Sequence, residues 1–177
     1  IAIYVHPSNP VPSLDMRQLK ALFRGETRRW DTLGGASEPI VLYGREHGSG
    51  THAYFREHVL GNEDFAAEAQ ALPGTAAVIH AVSRDRSAVG YGGIAYAHGV
   101  RTVPIVDAKG QPVAPDERAT ASGRYPLARS LFMVTAGVPS GAVAGFLSWV
   151  QSEEGQKTVQ HVGFFPLERP DGAPTYP

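Results

Sequence analysis

The stretch Tyr43–Val59, YGREHGSGTHAYFREHV, constrains this chain more than any other. It begins as the end of an apolar run, Ile40–Gly44, and finishes as a helix with Tyr54, Phe55, Val59 and Leu60 facing inward. Between the two lie glycines, an arginine, a histidine, a serine and a threonine. A helix start carries about four amides without intrahelical partners, and the macrodipole adds about half a positive charge. Gly48 and Gly50 let an anion approach that backbone closely, and Ser49 and Thr51 add hydroxyl donors. Arg45 supplies a planar, permanently charged fork. The donor set suits an anion cradle, each charge-assisted bond contributing about 1.5–3 kcal/mol in a desolvated site. Ordinary helix capping by Ser49, with Arg45 solvated, accounts for the same residues equally well.

Two sharper motifs do not fit. A phosphate-binding Walker loop needs a lysine after its glycines, and none follows Gly50. A nucleophile elbow needs glycines two places either side of the serine, where His47 and Thr51 stand. His47 as a base for Ser49 leaves a serine hydrolase as the weakest alternative.

The surrounding pattern alternates strands with helices. Strands are expected at Ile1–His6, Ile40–Gly44, around Ala88–Tyr91, within Val100–Pro115 about a turn at Lys109–Gly110, and over Tyr125–Gly137. Helices are expected after Ser13, a candidate N-cap, with Met16, Leu19, Leu22 and Phe23 inward and Gly25 as the stop. Others follow over Asn62–Leu72 and over Gly74–Arg84, the latter with Val78, Ile79 and Val82 on one face. The longest spans Val138–Gly163, where Val143, Phe146, Leu147, Val150, Val159 and Val162 form a stripe. Trp30 is the expected anchor of the loop before Ile40. The order implies an α/β domain with a mixed, largely parallel sheet flanked by helices, followed by a Pro-rich tail at 168–177.

Composition narrows the function classes. The 177 residues suit one domain or two small lobes, and a hydrophobic share of 42% supports a core. A net charge of −1 argues against nucleic acid as a partner. No apolar run reaches the roughly 20 residues that cross a bilayer. No basic segment with an apolar run opens the sequence, so a signal peptide is expected to be removed or absent. Without cysteine there are no disulfides and no thiolate metal sites. His47, His52 and His58 lack metal-ligand spacing, Arg28–Arg29 and Arg84–Asp85–Arg86 read as solvated faces, and Glu153–Glu154 falls on an exposed helix side. No catalytic group, metal or cofactor is expected.

Several stretches, in order, resemble the substrate-binding proteins of bacterial phosphate ABC transporters, two-lobed periplasmic binding proteins of the type II kind. They are IAIYVHPSNPVPSLDMRQLKALFRGETRRWDTLGG, PIVLYGREHGSGTHAYFREHVL, VSRDRSAVGYGGIAYA, YPLARSLFMVT and FLSWVQSEEGQKTVQHVGFFPL, together spanning Ile1 to Leu167. The resemblance implies a solute receptor that binds phosphate or a similar oxyanion and hands it to a membrane permease. It implies a monomer, periplasmic or extracellular, held to the membrane through a removed lipoprotein signal. Arg45 would be the guanidinium clamp, Ser49, Gly50 and Thr51 the donors, and Gly48 the point of close approach. His47 takes a position where phosphate-specific members often carry aspartate, which leaves the preferred oxyanion open. Tyr125–Pro126 would lie at a crossover between lobes. The family's first-lobe segment has no counterpart before Ile1, so 1–167 corresponds to a partial or shortened domain. With half the cleft missing, phosphate affinity is expected in the millimolar range or weaker, about −4 kcal/mol. A sensory or interaction module that keeps the fold without transport is the alternative.

Overall fold

β1 (Ala2–Val5) is buried on both faces. Its side chains alternate between two hydrophobic clusters: Ile3 and Val5 join one, Ala2 and Tyr4 the other. That double burial sets the architecture, a sheet covered on each side. The computed structural model describes residues 1–167, as two compact units, Ile1–Ala128 and from Arg129 onward. The tail at 168–177 lies outside the described residues.

In the first unit, β2 (Val41–Arg45), β3 (Gln70–Leu72), β4 (Ala88–Gly92) and β5 (Arg101–Thr102) complete a five-stranded sheet in the order β3-β2-β4-β1-β5. β2 runs parallel to β3 and β4, whereas β1 runs antiparallel to β4 and β5. The sheet is therefore mixed, as expected. α1 (Met16–Phe23) and α2 (Gly50–His58) contribute Leu19, Leu22, Phe23 and Phe55 to the larger cluster. α3 (Gly74–Arg84) covers the other face with Val78 and Val82. Gly90 of β4 faces it: a Cβ there would sit 2.5 Å from Val78 Cγ1, so the helix rests directly on strand backbone. A short hairpin, β6 (Ile105–Val106) and β7 (Pro112–Val113), and α4 (Glu117–Ala121) follow.

Trp30 is the anchor foreseen, 1% exposed, its indole donating to Ser87 O at 2.9 Å. Gly25, at φ 73°, ends α1 as expected. The cap of α1 is Asp15 and not Ser13. Asp15 Oδ1 accepts from the Gln18 amide at 2.7 Å, and Gln18 Oε1 accepts from the Asp15 amide at 2.9 Å. The helix starts later because Leu14 is held in a bridge beside Ile105, its amide bonded to Pro104 O.

The helix expected over Asn62–Leu72 does not form. Gly61 and Asn62 are both left-handed, at φ 65° and 66°, which stops a helix at its start. The Ala66 amide bonds to the Phe23 carbonyl at the end of α1, half-buried Phe65 packs against the core, and residues 70–72 pair with β2. Tertiary pairing overrides the helix preference of the alanines and glutamates.

The second unit departs further. Tyr125–Gly137 is expected as a strand, yet no strand among the described residues pairs with it. Leu131, Phe132, Met133 and Val134 are exposed, and apolar character alone cannot make a strand without a neighbouring backbone. The long helix is two, α5 (Gly141–Gln151) and α6 (Glu153–His161). Ser152 breaks it with extended backbone at ψ 166°; its hydroxyl accepts from the Gly155 amide at 3.2 Å and donates to Trp149 O at 2.6 Å. The expected stripe is largely exposed at Val143, Phe146 and Val162. Glu153 and Glu154 are exposed in the first turn of α6, where the macrodipole favours them. No described helix is long and apolar enough to cross a membrane.

Candidate anion site

Parallel strands β2 and β3 each deliver the chain to a helix start at the same sheet edge, α2 at Gly50 and α3 at Gly74. β4 ends beside them at Gly92. Ligands of open α/β sheets settle outside such carboxyl ends. Arg45, the last residue of β2, stands there with its side chain 14% exposed.

Its guanidinium is engaged by the chain's own acceptors. Nε donates to Glu46 Oε2 at 3.1 Å, Nη2 to Glu46 Oε1 at 2.8 Å and Nη1 to Thr75 Oγ1 at 2.8 Å. Glu46 Oε2 also accepts from the Gly74 amide at 3.0 Å. These bonds hold the Glu46 carboxyl down at about 2, first through Arg45 and then through Gly74, and raise Arg45 further. A guanidinium has five N–H donors. Three are accounted for, leaving two without a partner among the described residues.

The start of α2 is capped. Ser49 Oγ accepts from the amides of Thr51 at 3.1 Å and His52 at 3.4 Å, and the Ser49 amide donates to Glu46 O at 3.0 Å. The capping alternative is thus realised. Both its bonds are long for N–H···O, the second beyond the usual range. Gly48 and Gly50 are exposed, and a Cβ on either would meet nothing within 4 Å among the described residues. His47 is exposed, its ring edge-on to His52 at 4.9 Å.

Beneath the turn lies an aromatic stack. Phe55 stacks on Tyr91 at 4.1 Å, Phe23 meets Phe55 edge-on at 4.8 Å, and His52 stacks on Phe65 at 4.8 Å. The buried Tyr91 hydroxyl accepts from the Arg45 amide at 3.4 Å and lies 3.5 Å from His52 Nδ1. Burial pushes that phenol up to about 12, so it stays protonated. Tyr91 is thus a core residue of β4 whose hydroxyl touches the Arg45 backbone.

Glu46, Thr75 and the Gly74 amide were not foreseen. A signal was present: Gly74–Thr75 repeats, at the second strand-to-helix handover, the Gly50–Thr51 pair of the first. Among the described residues no group of His, Asp or Glu can hold a metal.

Burial, then the neighbouring His47, lowers the His52 imidazole below its ordinary 6.5. The unfolded chain thus binds the proton more readily. Stability from neutral His52 is fully present above pH 6.5 and is lost as pH falls through the lowered folded value. Thermal melts from about pH 7.5 to about pH 5 are expected to show Tm falling, with a smaller fall in His52→Gln. Equal slopes in both proteins would exclude His52 as the source.

Comparison with known proteins matches residues 1–154 to the family model for the PBP superfamily domain. The phosphate-binding protein PstS of Pseudomonas aeruginosa is 34% identical, over 94% of this chain and 57% of its own length. That of Bacillus subtilis is 28% identical, over 94% and 55%. A crystal structure of a candidate phosphate ABC transporter substrate-binding protein from Clostridium perfringens, with phosphate bound, superposes with a TM-score of 0.82 at 28% identity, covering 94% of this chain and 68% of that one. The chain spans just over half the length of the curated relatives it matches. With 154 consecutive residues matched and the mixed sheet in place, the chain belongs to the PBP superfamily.

Proposed function

We propose that the chain binds phosphate, or a closely similar tetrahedral oxyanion, at the sheet edge where α2 and α3 begin, as part of the solute receptor of an ABC importer. No bond is made or broken. The observation that carries the reading is Arg45, fixed at that edge with two N–H donors in hand. The names and bound ligand of the relatives point to the same anion class.

Binding exchanges the anion's water for oriented donors. One oxyanion edge takes the two remaining guanidinium N–H groups, a charge-assisted pair. The Thr51 and His52 amides pass from Ser49 Oγ to the anion, and the Ser49 hydroxyl rotates to donate. Gly48, with no side chain, lets the anion near the backbone, and Gly50 and Thr51 form the helix start. Exposed His47 flanks it and leaves the choice among oxyanions open. On the same reading, the bound anion is handed on to a membrane permease. Hydrolysis is disfavoured, because Ser49 Oγ serves as the helix cap and His47 packs against His52.

A crystal of this chain grown with phosphate should show tetrahedral density bonded to Arg45 and the Ser49–Thr51 turn. Calorimetry should give a Kd of about 1 mM or weaker, because a chain spanning just over half its relatives' length supplies only part of such a receptor's donors. Density elsewhere, or none at saturating phosphate, would refute the reading; micromolar binding would refute the half-cleft argument.

A further inference from the structure

We propose that Glu46 is a positioning residue of the anion site, fixing the Arg45 guanidinium against the start of α3 and leaving its outer edge to the ligand; this rests on the oxyanion reading above. The carboxylate makes three contacts at once, two to Arg45 and one to the Gly74 amide. Thr75 holds the guanidinium from the other side. Two successive strand-to-helix turns are thereby joined through one side chain.

Charge alone argues against placing a carboxylate here. An anion site built only for attraction would leave Arg45 uncompensated, and Glu46 cancels its charge at 2.8 Å. What the carboxylate supplies is order. Arginine carries large rotamer freedom, and a fork already oriented loses less of it on binding. Glu46 takes the Nε side, so the unused donors lie on the Nη groups and outside that ion pair. Glu46 is also tied to Gly74, so it is not a mobile stand-in that departs when ligand arrives.

The test is arginine side-chain NMR on the 177-residue chain, titrated with inorganic phosphate at constant ionic strength. In the wild type, the Arg45 Nε–H signal should be resolved and slow to exchange with water. In Glu46→Gln that signal should broaden, and phosphate affinity should fall about tenfold, although the variant loses a negative charge beside the site. Glu46→Asp, shorter by one methylene, should recover part of both. Phosphate binding by Glu46→Gln as tight as wild type or tighter, with native backbone amide shifts, would overturn the proposal and make Glu46 a spectator or a competitor. If Glu46→Gln fails to fold, Glu46→Asp decides by the same criterion. A wild type with no phosphate response overturns the oxyanion reading and this proposal with it; a response unchanged by both variants overturns this proposal alone.

Discussion

Phe55→Ala is expected to lower the unfolding free energy by about 3–5 kcal/mol, the range for emptying a buried aromatic site. Phe55 is fully buried, stacked on Tyr91 at 4.1 Å and touching the rings of Phe23 and Phe65 at 4.8 and 5.8 Å. Those rings come from β4, α1 and the 62–69 segment, so one truncation loosens four parts of the chain. Aromatic pairs add roughly 0.5–1.5 kcal/mol each beyond burial. A domain stable by roughly 5–15 kcal/mol loses a large share of its margin. Urea titration should show a lower midpoint with unchanged slope. Phe132→Ser is the control: Phe132 is 84% exposed, and its loss should stay within about 0.5 kcal/mol. Equal midpoints for the two variants would mean that the stack is not what holds the first unit together.

The contrast between these two phenylalanines marks how far the sequence could be read. Around β2, α2 and α3, hydrophobic period, glycine stops and helix starts agree, and α3 falls at Gly74–Arg84 as expected. Local signals suffice there because each element buries its own apolar face. Phe132 and Val134 sit in a run as apolar as β1, yet form no strand, since a strand is defined by a partner that no periodicity reveals. Asn62–Leu72 errs for a related reason. Alanine and glutamate favour helix weakly, and three residues pairing with β2 outweigh them. Ser152 breaks the last helix by a cap within an unbroken apolar stripe, a local event that the stripe conceals. At the candidate site, residue type and spacing marked the strand-to-helix turn that follows Arg45. Their engagement by Glu46 was not, although Glu46 adjoins Arg45, because which acceptor a guanidinium takes depends on where the Gly74 turn falls in space.

Arg45→Met is expected to remove the phosphate response altogether. Loss of two charge-assisted bonds corresponds to about 3–6 kcal/mol, roughly 150- to 25,000-fold in affinity. From a millimolar starting point, no saturable signal should remain in a calorimetric or NMR titration. Arg45→Lys should recover little, because an ammonium cannot present two parallel donors while also bridging to Thr75. The same variant reports on Glu46. That carboxyl lies below its ordinary 4.5, at about 2, chiefly because of Arg45. A carboxyl depressed in the folded state contributes stability present above pH 4.5 and lost as pH falls through 2. Arg45→Met should therefore flatten the acid limb of the stability curve across that window, with a residue of slope left by the Gly74 amide. The two readouts separate two failures. Phosphate binding retained in Arg45→Met puts the anion at another place in the fold, whereas an unchanged acid limb means that the ion pair with Glu46 does not persist in solution. Only the loss of both ties the guanidinium to ligand and carboxylate together.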